Sequence, residues 1–169
     1  MRLTLLSCLL LLSLGTPRPG QGGMFFNPGA QGQPWRFDGR EFVPGAGDGA
    51  VVLLLRAGYL PLFRTEAAVT PSIPLPDGMG AVAGICYIQT AGGKLASGGG
   101  PLLVERCPIE VMDSSRHSRQ ITADNHGFFA LPLPPGLYEL RTAAGRITLA
   151  VTTGRSSLAA LRVGKRMVD

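Results

Sequence analysis

A chain of 169 residues that is 45% hydrophobic has room for one full domain with an appended segment and enough apolar matter for a core, which excludes a low-complexity or disordered polymer. Its 24 Gly and 14 Pro, with no long amphipathic run, exclude a helical bundle and point to many short strands and turns. The formal net charge of +5 is modest, and in an exported chain it fits solvated strand faces or an anionic polymer better than nucleic acid.

The chain opens with one positive residue, Arg2, then the apolar run Leu3 to Leu14, then Gly15-Thr16-Pro17 and a Gly/Pro-rich spacer. This is the layout of a secretory signal peptide, with cleavage after Gly15 or near Gly22. A run of about 12 residues is too short for a membrane span, which needs ~20, so residues 1–22 are expected to leave the mature chain without an anchor. The expected location is exported: periplasmic, cell-surface or secreted. Cys8 departs with the signal, leaving Cys86 and Cys107 as an even pair in an oxidising compartment, where a disulfide is the default expectation.

Residues 23–78 read as a Gly/Pro-rich arm followed by accessory strands. From Gly22 to Gly39 the sequence is too broken by Gly, Pro and Asn for regular structure, yet it carries Phe25, Phe26, Trp35 and Phe37. Those rings want a surface, either the body of the same chain or a neighbour. Arg40 to Pro44, Ala50 to Arg56, Tyr59 to Val69 and Ser72 to Pro76 follow, and the unbroken apolarity of AVVLLL implies burial on both faces. Too few to close a sandwich, these strands are expected to extend or cap the main sheet, and their order echoes the later chain as a degenerate half-repeat.

Residues 79–164 lay out as seven strands: Ala81 to Gln89, Cys107 to Asp113, Arg119 to Ala123, Phe128 to Leu133, Leu137 to Thr142, Arg146 to Thr152 and Leu158 to Val163. Turn chemistry separates most of them, and Gly92 to Arg106 reads as a flexible connector. Residues 165–169 form a tail. Parity assigns an inward set of Val82, Gly84, Cys86 and Ile88; Cys107, Ile109 and Val111; Phe129, Leu131 and Leu133; Tyr138 and Leu140; Ile147, Leu149 and Val151; Ala159, Leu161 and Val163. Cys86 and Cys107 share that inward parity on neighbouring strands. The stretch DNHGFFALPLPPGLYEL, Asp124 to Leu140, reads as a β-hairpin at a sandwich edge, and seven strands at this spacing imply an antiparallel sandwich.

Val82-x-Gly84, Cys107-x-Ile109-x-Val111, Asp124-x-x-Gly127-x-Phe129-x-Leu131 and Leu133-Pro134-Pro135-Gly136-x-Tyr138-x-Leu140 together resemble the carboxypeptidase regulatory-like domain over about Gly80 to Val163. The resemblance implies an all-β, antiparallel, seven-stranded Greek-key sandwich of the transthyretin (prealbumin-like) type, similar to collagen-adhesin B-type repeats and starch-binding-like modules, here with an N-terminal strand-rich extension. It departs at Cys86 and Cys107, at positions usually apolar or small, and at the long Gly92 to Arg106 connector. Each signature residue has a structural role. Asp124 bonds its own turn, Gly127 takes a positive φ, and Pro134, Pro135 and Gly136 set a tight reversal before Tyr138 enters the core.

Chemistry is sparse. His117 and His126, the two histidines, fall in predicted loops, and a metal site from His117, Asp124 and His126 lacks supporting ligand spacing. The order and separation of histidines and tyrosines do not match the iron ligands of the intradiol dioxygenases, and Gly98 to Gly100 lacks the Lys and helix of a phosphate loop. No cofactor and no enzymatic activity is expected. Trp35, Phe37, Tyr59 and Tyr87 are the candidate platform for a carbohydrate-binding module. The leading expectation is a non-enzymatic structural or interaction module of a bacterial envelope or secreted assembly, its partner a protein or a second copy, or else an anionic or neutral polysaccharide.

Overall fold

A computed structural model describes residues 32–46, 52–65, 68–69, 72–91 and 101–167. The signal segment, Phe25 and Phe26, the Gly92 to Gly100 run and the last two residues lie outside them. Among the described residues there are strands and turns and no helix.

Thirteen strands run β1 Gln33–Phe37, β2 Phe42–Pro44, β3 Val52–Leu55, β4 Leu62–Thr65, β5 Ala68–Val69, β6 Gly80–Ala91, β7 Pro101–Leu103, β8 Pro108–Asp113, β9 Ser118–Thr122, β10 Phe128–Leu133, β11 Gly136–Thr142, β12 Gly145–Val151 and β13 Ser156–Met167. They form three sheets. The N-terminal sheet has the order β2-β1-β3-β4-β5, the central sheet β10-β6-β13 with β7 also on β6, and the outer sheet β12-β11-β8-β9.

All seven expected strands of the second half are present, and β7 adds an eighth inside the stretch read as a connector. Its three residues pair with the far half of β6, Tyr87 opposite Leu103 and Gln89 opposite Pro101. In the first half, β1 forms within a stretch read as too broken for regular structure, because β3 supplies a full ladder from Gln33↔Leu55 to Arg36↔Val52. Ser72 to Pro76 makes only an isolated bridge, Tyr59 to Pro74. Of Val52 to Leu55 only Leu53 is fully buried, so this run covers one core rather than two.

The central and outer sheets enclose one core of Val82, Cys86, Cys107, Ile109, Val111, Phe129, Leu133, Tyr138, Leu140, Val151, Ala159 and Leu161, with Leu131, Ile147, Leu149 and Val163 half-buried against it. This is the parity set apart from Gly84, a gap filled by its neighbours, and the half-buried Ile88; Ala123, Ile121 and Val104 join it. A second core lies on the other face of the central sheet, where Phe37, Ile85, Tyr87 and Phe128 pack with Phe42, Phe63, Leu103 and Ala160. The N-terminal strands therefore cap the main domain as a layer of their own. Every residue from Gly80 to Tyr87 is buried, even-numbered residues facing one core and odd-numbered ones such as Ile85 and Tyr87 facing the other. A strand covered on both faces reads as a continuous apolar run.

Two expectations about chain direction are corrected. β13 pairs with β6 in parallel, from Ser156↔Ala81 to Met167↔Ala91, with a register irregularity between Arg162 and Gly164. Inward parity is the same for either direction, so the pattern could not reveal this. Likewise Asp124 to Leu140 is not a hairpin: β10 pairs with β6, whereas β11 pairs with β8 and β12 in the opposite sheet. Pro134 and Pro135, without N–H groups and with fixed φ, carry the chain over the sandwich end. The Tyr138 hydroxyl donates to the Pro134 carbonyl at 3.0 Å and fixes the corner.

Candidate binding clefts

The layers align strand over strand. The Phe37 ring on β1 meets the Tyr87 ring on β6 edge-on at 4.9 Å, and Phe63 on β4 stacks on Phe128 of β10 at 4.3 Å. Twisted sheets meet closely along their middles and part toward their edges. Two clefts open where these layers part, one on the β4/β10 side and one beside β2 and β13.

The first cleft, about 470 Å³, is largely apolar, lined by Leu60, Phe63, Ile73, Phe128 and Leu131 with Asp124 and His126 at its polar end. Ile73 is 48% exposed, one of three large apolar side chains so exposed among the described residues. Its floor is β10, the edge of the central sheet. Cys86 N–H donates to the Gly127 carbonyl, so by strand alternation Phe128, Ala130 and Pro132 turn their backbone groups outward. That edge is blocked at two of its three outward-facing positions. Asp124 takes both outward groups of Phe128, its Oδ1 accepting the Phe128 N–H at 2.9 Å and its own N–H donating to the Phe128 carbonyl at 2.8 Å. Pro132 has no N–H, and its carbonyl accepts from Arg119 at 3.3 Å. Such blocking is how exposed sheet edges avoid aggregation. The cleft admits side chains rather than an added strand.

The second cleft, about 510 Å³, lies between Trp35 and Phe42 of the N-terminal sheet and Ser156, Leu158 and Ala160 of β13, with Arg40 and Glu41 also in its wall. The β1–β2 turn places those two charges. Asp38 Oδ1 accepts the Arg40 N–H at 2.8 Å and the Glu41 N–H at 2.9 Å, and these N–H groups, Glu41's first, hold the Asp38 carboxyl below its ordinary value. Gly39 takes φ of 102° in the same turn. Trp35 Nε1 is buried and has no hydrogen-bond partner among the described residues.

Of the four candidate platform rings, Phe37 and Tyr87 are 4% and 6% exposed and pack on each other. The Arg56 guanidinium covers Tyr59 at 3.3 Å from its centroid. Trp35, of the four, lines the second cleft.

The three candidate metal ligands are not brought together. His117 lies before β9 and Asp124 and His126 after it, separated by five strand residues, roughly 17 Å at the usual rise. His117 engages Asp113, whose Oδ1 accepts the His117 N–H at 2.9 Å; that bond is the main reason the Asp113 carboxyl lies below its ordinary value. Asp124 Oδ1 also accepts the His126 N–H at 2.7 Å, and Gly127 has φ of 77°, so the turn works as its residue types imply. Among the described residues no group of three His, Cys, Asp or Glu could hold a metal ion.

Cys86 and Cys107 lie in the same core, one on the central sheet and one entering the outer sheet, and in this structure both are free thiols. The anticipated bond is not formed here: Cys107 Sγ approaches the Pro108 carbonyl at 3.5 Å. Burial first, then the neighbouring Cys107 thiol, pushes the Cys86 thiol far above its ordinary range.

Arg40, Glu41, Ser156 and Ile73 went unnoticed in the sequence because each acquires its setting from layer packing. The Asp38-Gly39 pair was the available signal for a hairpin that would present Arg40 and Glu41.

No family profile and no curated protein sequence matches the chain. Solved structures it is similar to include the TIE protein of Bacillus anthracis, at 13% identity over 73% of this chain and 27% of that one, with a TM-score of 0.37. Another is the crystal structure of S.CueP, at 14% identity over 70% of this chain and 78% of that one, also with a TM-score of 0.37. The chain thus spans about a quarter of the TIE protein's length.

Proposed function

We propose that this protein is an exported, non-enzymatic interaction module of a bacterial envelope or secreted assembly, built on a sandwich of the carboxypeptidase regulatory-like, transthyretin type. The observation that carries the reading is the apolar cleft on the β4/β10 side, with half-exposed Ile73 in its wall and a floor whose strand edge is blocked. An apolar cleft with a polar end suits a partner that inserts apolar side chains. The partner is a polypeptide, and self-assembly through the Met24-Phe25-Phe26 segment is its simplest form. Gly32 lies against Leu55 and Arg56, two strands from Leu60, roughly 10 Å at the usual interstrand spacing. Nine residues of chain can span up to about 30 Å, long enough for the segment to reach its own cleft or a neighbour's.

Export would place Cys86 and Cys107 in an oxidising compartment, where a bond between the two sheets closes a loop worth about 3 kcal/mol. Intact mass of the unreduced protein, with and without alkylation, reads its presence directly.

The test is light scattering of the mature chain across a wide concentration range, beside Ile73→Asp and a chain lacking residues 23–31. Concentration-dependent association that both variants abolish supports the reading. A monomer at every concentration, with no binding of a peptide carrying Met24 to Phe26 by the shortened chain, overturns it.

A further inference from the structure

The second cleft uses none of the residues of the first and opens at the other edge of the N-terminal sheet, beside β2. We infer that it is a binding site for a neutral pyranose saccharide, with Trp35 as its aromatic wall and Arg40 and Glu41 as its polar recognition pair.

Two observations converge. Its volume of about 510 Å³ falls within the range of small-ligand pockets, roughly 300–1,000 Å³. Its wall joins an indole and aliphatic side chains to a guanidinium, a carboxylate and the Ser156 hydroxyl. A pyranose has the matching character: C–H faces that lie on an aromatic ring, and hydroxyls at the rim that both donate and accept.

The charges decide the class. Arg40 and Glu41 are adjacent and of opposite sign, and neither forms an ion pair among the described residues. Together they offer N–H donors and a carboxylate acceptor without net charge. An acidic saccharide would meet Glu41 as well as Arg40 and gain no overall attraction. Asp38 holds both backbone N–H groups, so the backbone of the turn that carries the pair is set before any ligand arrives.

Trp35 is the single tryptophan of the chain, so its emission reports this cleft alone. The experiment titrates the mature chain with α- and β-linked glucose hexasaccharides, and with an oligouronate as the acidic comparison, following emission and calorimetric heat. Arg40→Ala and Glu41→Ala are hairpin variants that leave both cores untouched. A saturable emission change with a neutral hexasaccharide, weakened at least about tenfold by either variant, is expected, the loss of one hydrogen bond to a charged group. Trp35→Phe, followed by calorimetry, should weaken binding similarly; if it does not fold, the two hairpin variants decide. The inference is overturned by no heat or emission change up to ~10 mM, a concentration beyond useful recognition. Binding that Arg40→Ala and Glu41→Ala leave unchanged, or a preference for the oligouronate, overturns it equally.

Discussion

Gly84→Ala is the most exposing single change in the central sheet. Gly84 lies opposite Phe129 on one side and Ala159 on the other, in the middle of the buried run of β6. A Cβ built there collides with the Ala159 carbonyl and meets the Phe129 ring at 2.9 Å. The carbonyl is backbone, and it belongs to the parallel ladder that holds β13, so relief requires β13 itself to move. Overpacking alone costs about 1–3 kcal/mol, and displacing the ladder adds at least one hydrogen bond, about 1 kcal/mol. A total of about 3 kcal/mol lowers the melting temperature of a domain this size by roughly 10 °C. Thermal unfolding by circular dichroism measures it. A Gly84→Ala protein melting within about 2 °C of the parent would show that β6 and β13 do not approach as described.

Asp124→Ala removes the acceptor of two backbone N–H groups at the β9–β10 turn and uncaps the β10 edge; a loss of about 2 kcal/mol is expected in urea unfolding, with increased aggregation at high concentration. Tyr138→Phe deletes only the bond to Pro134 and should cost about 1 kcal/mol by the same assay, leaving the core intact. Asp38 and Asp113 are both held below their ordinary carboxyl value of 3.8 in the folded state. Their contribution is therefore complete above that value and is lost as the pH falls through their lower folded values. Stability measured from pH 6 to pH 2 should decline below about pH 4, and Asp113→Asn should flatten part of that decline. In reduced native protein, burial should keep Cys86 and Cys107 unmodified by iodoacetamide at neutral pH, with both reacting once the chain is denatured.

Much of the sandwich was legible because alternation in a half-buried strand survives almost any arrangement of its neighbours. Phe129, Leu131 and Leu133 face the same core whether the next strand pairs with β10 or crosses to the other sheet. For that reason the inward set could be written down while the corner at Pro134 and Pro135 was read as a hairpin. The parallel partner of β6 was hidden by the same symmetry. Strand β1 was missed because its stability comes from the β3 ladder and from Phe37 against Tyr87, both tertiary effects that override local Gly and Pro content. Tyr87 alternates with Cys86 along β6, and that parity is what places it in the second core. Of the four candidate platform rings, Trp35 gained a cleft, because it stands where two twisted layers part rather than where they meet.

Both clefts exist only where the N-terminal sheet covers the central sheet, so everything depends on that sheet being part of the folded body. Trp35 belongs to it, whereas the far-ultraviolet signal is dominated by the other two sheets, so the decisive measurement is equilibrium urea unfolding followed by both probes on one sample. Coincident midpoints and slopes are predicted, because exposing Tyr87, Ile85 and Phe128 would accompany any loss of the cover. A Trp35 transition completed at lower urea than the backbone transition would contradict this, leaving a sandwich that stands alone beneath a separately folding extension.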